Sequence, residues 1–442
     1  MSGVLGLIVL DETIVAVSLP SIAKDFGLSL SASHWVVNAY LLSFTCSVAI
    51  AGRLGDLFSR RNYFSAGAAL FAVSSLLAAI ALDGTMLIAA RALQGIAAAV
   101  IFPTSIALIT GAFAPEKRGI AFGYQTTVGG IFMAFGPLVG GLLTETLSWR
   151  MIFWVGIPII VGIVAMLWLI WSPAYDAQRR MASGAESRIE IAGPVFLILG
   201  VLGVVTYVMQ GPALGWMSPS SIGFLFIGLS MLSFFVRRER VFPKPLLDLS
   251  LLKIPEFGGG AIIFAIFQFE KIAIFVFAAQ FIQKILGGSP IMSGVAVSFA
   301  ILPTLITAVL IGKLTDRFGS KTTFEIGATI HGAAIILLAL AATQHNYLLT
   351  FAPLVLWGAS MPSIAIPVRR VQMAAVPKYK QAQASGMNLT IQMLGGSLGL
   401  AACSALLSET RNYPLVFFVI GIVTFVAVLV AQRSMQREQL ER

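Results

Sequence analysis

Six charged or amide side chains stand inside otherwise apolar runs: Asp11 and Glu12 in LIVLDETIVAV, Arg91 and Gln94 in RALQGIAAAV, and Glu270 and Lys271 in FQFEKIAIF. A charged group at the centre of a bilayer costs about 2.5–3.5 kcal/mol on insertion scales, so each of these must face water or a partner. A carboxyl group shielded from water gains and loses a proton near neutral pH, which is the chemistry of a proton carrier. Asp11, midway along its run, is the first candidate for that work. Glu12 sits about 100° further round a helix and cannot share its face, which makes it the weaker of the two. Arg91 keeps its charge at any working pH. Either it biases a nearby carboxylate or bonds polar backbone, with Gln94 on the same face, or it snorkels to the outer surface. Glu270, flanked by Phe267, Gln268 and Phe269, offers a cation a carboxylate and aromatic faces; a structural ion pair between helices is the alternative. Lys271 points elsewhere and suits an anionic or zwitterionic solute. Gln125, Thr126, Thr127, Asn388 and Gln392 are further in-run polar residues, read equally as cavity lining or as glue between helices.

These residues need elements that hold them in a bilayer. The 442-residue chain is 58% hydrophobic and 11% charged, with mean hydropathy +0.91, whereas soluble domains run nearer a quarter charged. Its apolar runs are continuous rather than alternating, so they read as spanning helices and not barrel strands. The first, 2–22, has no basic leader and is interrupted by Asp11 and Glu12, so it reads as a retained span and not a signal peptide; a start codon upstream is compatible with its position. Further spans fall at 35–54, 63–82, 85–109, 119–143 and 150–171, then 191–210 and 219–236, then 257–281, 291–312, 323–342, 348–367, 383–407 and 413–431. The expected architecture is all-α and integral to the membrane. It has fourteen spans as six, two and six: a bundle over 1–171, a two-helix insert with flanking loops over 172–256, a second bundle over 257–431 and a tail over 432–442.

Charge supports the count. With both termini inside, only Lys24, Arg150, Lys284 and Arg411 among the lysines and arginines fall outside, and only Arg91 and Lys271 fall within spans; one span more or fewer scrambles this asymmetry. The net charge of +10 therefore reflects topology and does not point to a nucleic-acid partner. Cys46 and Cys403 lie within spans and imply no disulfide framework. His34, His331 and His345 are scattered without metal-ligand spacing, and no phosphate-cradling GxxxxGK is present.

The turn GRLGDLFSRR, Gly52 to Arg61, recurs about 260 residues later as GKLTDRFGSK, Gly312 to Lys321. Likewise Pro115 before EKRGIAFG is echoed by Pro377 before KYKQAQASG. Parallel repeats of six spans are a transporter architecture with its site at mid-membrane between the halves. In the turns, Asp56 and Asp316 are placed to pair with basic residues and cap a neighbouring helix, holding the inner side shut. In GPLVGG, Gly136 to Gly141, the small residues and Pro137 permit close helix packing and a kink.

The first turn resembles the loop signature of the major facilitator superfamily. LDETIVAVSLP, from Leu10, is similar to the first-span signature of its fourteen-span drug:proton antiporters of the EmrB/QacA type. RALQGIAAAVIFP, from Arg91, is similar to the fourth-span motif, and GPLVGG to the fifth-span motif of exporters. Leu57 and Ser59 depart from the loop pattern, where a basic residue and a glycine are usual; the second copy keeps Arg317 and Gly319 but ends Ser320-Lys321. The resemblance implies a proton-coupled exporter of hydrophobic, cationic compounds in a bacterial inner membrane, with no enzymatic activity, cofactor or metal. Together with the residue readings above, the expected sites are proton coupling at Asp11, Arg91 and Glu270, and substrate contacts from Gln94, Gln125, Phe267, Gln268, Glu270, Lys271, Asn388 and Gln392. Gating falls to Gly52, Asp56, Arg60, Arg61, Arg118, Asp316 and Arg317, and helix packing to Gly136, Pro137, Gly140 and Gly141. The implied partners are a drug-like solute, protons and the lipid bilayer. The short outer segment Ser408 to Pro414 leaves little surface for a periplasmic adaptor. Export of an anionic or zwitterionic metabolite is the alternative. An enzyme acting on lipid-linked substrates would need a polar catalytic cluster that the sequence does not offer.

Overall fold

The computed structural model describes residues 2–113, 117–170, 192–242, 247–377 and 380–435, apart from a few side chains within them, including those of Arg53, Asp56 and Arg118. The first half comprises α1 (Ser2–Asp25), α2 (Leu30–Leu57), α3 (Arg60–Ala79), α4 (Gly84–Ala112), α5 (Arg118–Thr146), and α6 (Met151–Trp154) with α7 (Gly156–Ile170). The insert is α8 (Ala192–Leu214) and α9 (Pro219–Val241). The second half comprises α10 (Pro255–Lys284), α11 (Pro290–Phe318), α12 (Ser320–Thr343), α13 (Tyr347–Ser360) with α14 (Pro362–Ala374), α15 (Gln381–Thr410) and α16 (Tyr413–Ser434). No strand occurs among the described residues. Thirteen helical stretches there are long and apolar enough to cross a membrane. The 28-residue α2, packed between α4 and α15, is the fourteenth.

Local chemistry sets the helix ends. The tight turns at the end remote from the basic loops are capped by Ser29, Asp83, Ser289, Asn346 and Asn412, whose side chains accept from the first free backbone N–H groups. Two expected continuous spans are broken. The sixth has a step at Val155 between α6 and α7. The twelfth breaks at Met361, where Pro362 removes a donor and restarts the helix at its first position. The two copies of the basic turn close differently. Gly319 ends α11 at φ +83°, a conformation essentially reserved to glycine. Ser59 stays at φ −57° and caps α3 through its hydroxyl, which explains why the first copy does without the glycine.

The halves repeat one packing pattern. α1 lies on α5 and α2 on α4; α10 lies on α15, α11 on α13, and α12 on α16. The seam between halves is made by α2 with α15, α5 with α11, and α1 with α10. GPLVGG serves two faces of it at once. A Cβ on Gly136 or Gly140 would strike Thr13 or Ile14 of α1, and one on Gly141 would lie 2.4 Å from the Pro290 carbonyl of α11. A Cβ on Gly294 of α11 would in turn lie 2.4 Å from the Pro137 carbonyl. The motif is thus a pair of i,i+4 small faces, one for each neighbour.

The insert leans on the α2/α15 side of the seam. α8 and α9 pack tightly through Gly200, Gly203 and Gly228, and α8 rests against both α2 and α15. Ser31 Oγ of α2 donates to the Met209 carbonyl of α8 (3.0 Å), and Trp216 Nε1 donates to Glu409 of α15. Lys380, just before α15, pairs with Asp248 of the loop after α9 (2.8 Å). Burial alone pushes the Asp248 carboxyl up, but hydrogen bonds from Lys380 and Ser250 outweigh it and hold the group below its ordinary range.

Candidate transport site

Asp11 and Arg91, 80 residues apart, meet inside the first bundle. Arg91 Nη1 donates to Asp11 Oδ2 (2.5 Å) and to Gln94 Oε1 (2.8 Å), and Nε donates to the Val36 carbonyl of α2 (3.1 Å). Gln94 Nε2 continues the chain to Ser75 Oγ (2.8 Å), and the guanidinium lies 4.5 Å from the centre of the Tyr40 ring. Arg91 is completely buried, so it does not snorkel. Gln94, expected on the substrate path, is buried and accepts from Arg91.

Glu12 and Lys271 meet across the seam. Lys271 Nζ of α10 stands 3.9 Å from Glu12 Oε2 of α1. The two carboxylates thus turn to different helices, as their spacing requires, and each finds its own cation. Four charges, two of each sign, form a neutral quartet on α1, α4 and α10.

Glu270 lies elsewhere. Its side chain is 1% exposed and enters the second bundle, where Oε1 contacts His331 Nε2 of α12 (2.5 Å) and Oε2 accepts from Thr424 of α16. His331 Nδ1 reaches Ser360 Oγ of α13 (2.7 Å). With both oxygens engaged, Glu270 presents no free carboxylate to a solute in this conformation. Gln268 is buried beside Met393 and Gly396 of α15, and Phe267 lies against the His331 ring; both belong to the bundle interior. Asn388 Oδ1 accepts from Gln372 Nε2 (3.3 Å). Gln125 and Gln392 are half-buried, and Gln125 Oε1 has no hydrogen-bond partner among the described residues.

The gating residues separate. Asp316 pairs with Arg370 of α14 (2.5 Å), not with neighbouring Arg317, which stacks over Phe318. Arg60 Nη1 donates to the Ala107 carbonyl of α4 (2.6 Å), and Arg61 stacks on Trp168. A Cβ on Gly52 would lie 4.0 Å from the Pro103 ring. The side chains of Asp56 and Arg118 lie outside the described residues.

A cluster at the seam escapes sequence reasoning. Buried His34 of α2 lies 2.5 Å from Ser404 Oγ of α15 and faces the Gln280 amide of α10 (3.0 Å), which Tyr413 OH also meets. Near it Gln283 Nε2 donates to the Val17 carbonyl (2.8 Å), and Ile291 N donates to Glu145 (2.9 Å). These contacts close the seam at the end remote from the basic turns. Towards the basic turns, Cβ positions at Gly123 and Gly129 of α5, Gly312 of α11 and Gly386 of α15 meet open space. The available signal for this cluster was a histidine inside an apolar run, which without a spacing partner says nothing about its neighbours.

A two-fold repeat of six-helix bundles, with an ion pair buried across the seam between them, is the architecture of a multi-pass membrane transporter. The model of the Major Facilitator Superfamily matches residues 1–269 and again 259–440, and the chain belongs to that superfamily. It is 33% identical to the puromycin resistance protein of Streptomyces alboniger over 89% of this chain and 78% of that one. It is 29% identical to the tetracenomycin C resistance and export protein of Streptomyces glaucescens, over 91% and 74%. An inward-open structure of the xylose transporter XylE from E. coli matches with TM-score 0.68 at 14% identity, over 98% of this chain and 94% of that one.

Proposed function

We propose that this protein is a proton-coupled exporter of hydrophobic, cationic compounds across a bacterial inner membrane, with both termini cytoplasmic. Bundles 1–171 and 257–431 rock about a central site, and the 172–256 insert rides at their edge. The observation that carries this reading is the neutral quartet Asp11, Arg91, Glu12 and Lys271. It is costly to bury and is divided between the halves, so any gain or loss of charge there bears on the seam. The relatives named for puromycin resistance and tetracenomycin C export support an exported, drug-like solute. The basic loops support a cytoplasmic placement of the side that carries them. Lys271 favours a second reading, export of an anionic or zwitterionic metabolite, because its ammonium is only loosely held at 3.9 Å.

Everted vesicles test the choice. With an imposed pH gradient, wild-type protein is expected to move a cationic dye, and collapsing the gradient is expected to stop it. Dye movement that persists without the gradient removes proton coupling. No cationic dye movement by folded protein removes the cationic reading in favour of anionic or zwitterionic solutes.

A further inference from the structure

The three mid-depth carboxylates differ in one respect that matters for coupling. Asp11 is bound to Arg91 at 2.5 Å, and both lie in the first bundle. Glu270 is bound to His331 and Thr424, all in the second. When two bundles rock as bodies, contacts inside either one persist. Glu12 alone reaches across: its partner Lys271 is on α10, at the outer limit of an ion pair, with side chains 8% and 14% accessible. The charges acting on Glu12 are Lys271, Asp11 and Arg91; Arg91 directs Nη1 and Nε to Asp11, Gln94 and the Val36 carbonyl, and only its Nη2 has no partner among the described residues. α5 meets α1 here with Gly136 and Gly140 and brings no charge. α2 brings Tyr40, whose ring faces Arg91, and α11 carries no charged residue between Pro290 and Gly312.

We propose that Glu12 is the seat at which the proton and the cationic substrate compete, and that Lys271 is its built-in occupant, a tethered cation that holds the seat when neither is bound. The proposal rests on the cation-exporter reading above. Lys271 keeps Glu12 from standing as an unpaired buried charge in the empty transporter. A substrate cation entering the seam displaces the ammonium, which moves the few tenths of a nanometre its flexible stem allows. Protonation of Glu12 removes the attraction for both cations and loosens the α1–α10 contact in the same event. One site thereby links proton uptake, substrate release and seam opening, and Lys271 sets the selectivity: a solute must outcompete an ammonium already in place.

The test is equilibrium binding of tetraphenylphosphonium to purified full-length protein in nanodiscs between pH 5.5 and 8.5, with wild type, K271M, E12Q and the double variant E12Q/K271M. An internal competitor reduces apparent affinity by the fraction of time the seat is free, so K271M is expected to bind about tenfold more tightly at pH 8. E12Q is expected to lose that binding and its pH dependence. E12Q/K271M leaves no buried unpaired charge, so it keeps the fold; it is expected to bind the probe weakly and independently of pH. If Glu12 and Lys271 are only a structural tie, the double variant binds with the wild-type pH profile, and that result overturns the proposal. Measurable probe binding by wild type that K271M does not tighten overturns it as well. Failure of the cation-exporter reading itself looks different: wild-type protein and K271M would both be blind to the probe at every pH.

Discussion

Arg91 makes three directed hydrogen bonds from one guanidinium, to a carboxylate, an amide oxygen and a backbone carbonyl on a second helix. A lysine carries the charge but not the fork, and it cannot satisfy those directions together. R91K is therefore expected to retain the Asp11 pair while releasing Gln94 and α2. Removal in R91A leaves Asp11 buried and unpaired, a loss of about 3–5 kcal/mol. Thermal unfolding in detergent should order the proteins wild type, R91K, R91A. E270Q is the contrasting case. The Ser360 hydroxyl has one proton, which its bond to the Trp357 carbonyl uses, so His331 Nδ1–H donates to Ser360 and Nε2 shares a proton with Glu270. A glutamine amide offers His331 Nε2 an N–H donor while its oxygen still accepts from Thr424, so E270Q is expected to keep gradient-driven dye efflux within about threefold of wild type. Near-complete loss would support the expected place of Glu270 in the coupling mechanism. The sequence exposed these residues because charge inside an apolar run is costly. It did not reveal their partners, because a rotation of a few tens of degrees about a helix axis decides whether Glu270 faces the seam or His331.

The two basic turns share a motif and solve the same geometry by different means. Gly319 uses a backbone conformation closed to other residues, at φ +83° and ψ 161°, whereas Ser59 uses a side-chain cap at an ordinary φ. G319A is expected to destabilise by roughly 1–3 kcal/mol through backbone strain, and S59A by about 1 kcal/mol through the lost cap. Melting in detergent should show G319A as the lower, and equal effects would mean the strain is relieved by shifting the turn. The fourteen spans were readable because each is a long, predominantly apolar stretch, whereas the Ser, Asp and Asn caps that set their outer ends went unread. The steps at Val155 and Met361 were not: a proline at a first helical position and one inside a helix look alike in sequence.

The six, two and six arrangement was legible in the repeat of the basic turns and in the distribution of lysine and arginine, but nothing in composition says where an inserted pair will dock. Its position has a mechanical consequence. α8 touches α2 of one bundle through Ser31 and Asn38, both meeting Met209, and the insert touches the other through Trp216–Glu409 and Lys380–Asp248. If the outer end opens by separating α2 from α15, the insert must part from one of them. Its ties to the second bundle include an ion pair and a second contact at the opposite end of α15, so it should stay with α15 and release α2. In a background with Cys46 and Cys403 replaced, cysteines at Ser31 and Met209 joined by a short bifunctional reagent are therefore expected to lock the outer end shut and abolish dye efflux. Cysteines at Trp216 and Glu409, joined the same way, should leave efflux intact. The reverse pattern would show that the insert travels with α2, and that the α8–α15 face is the sliding one.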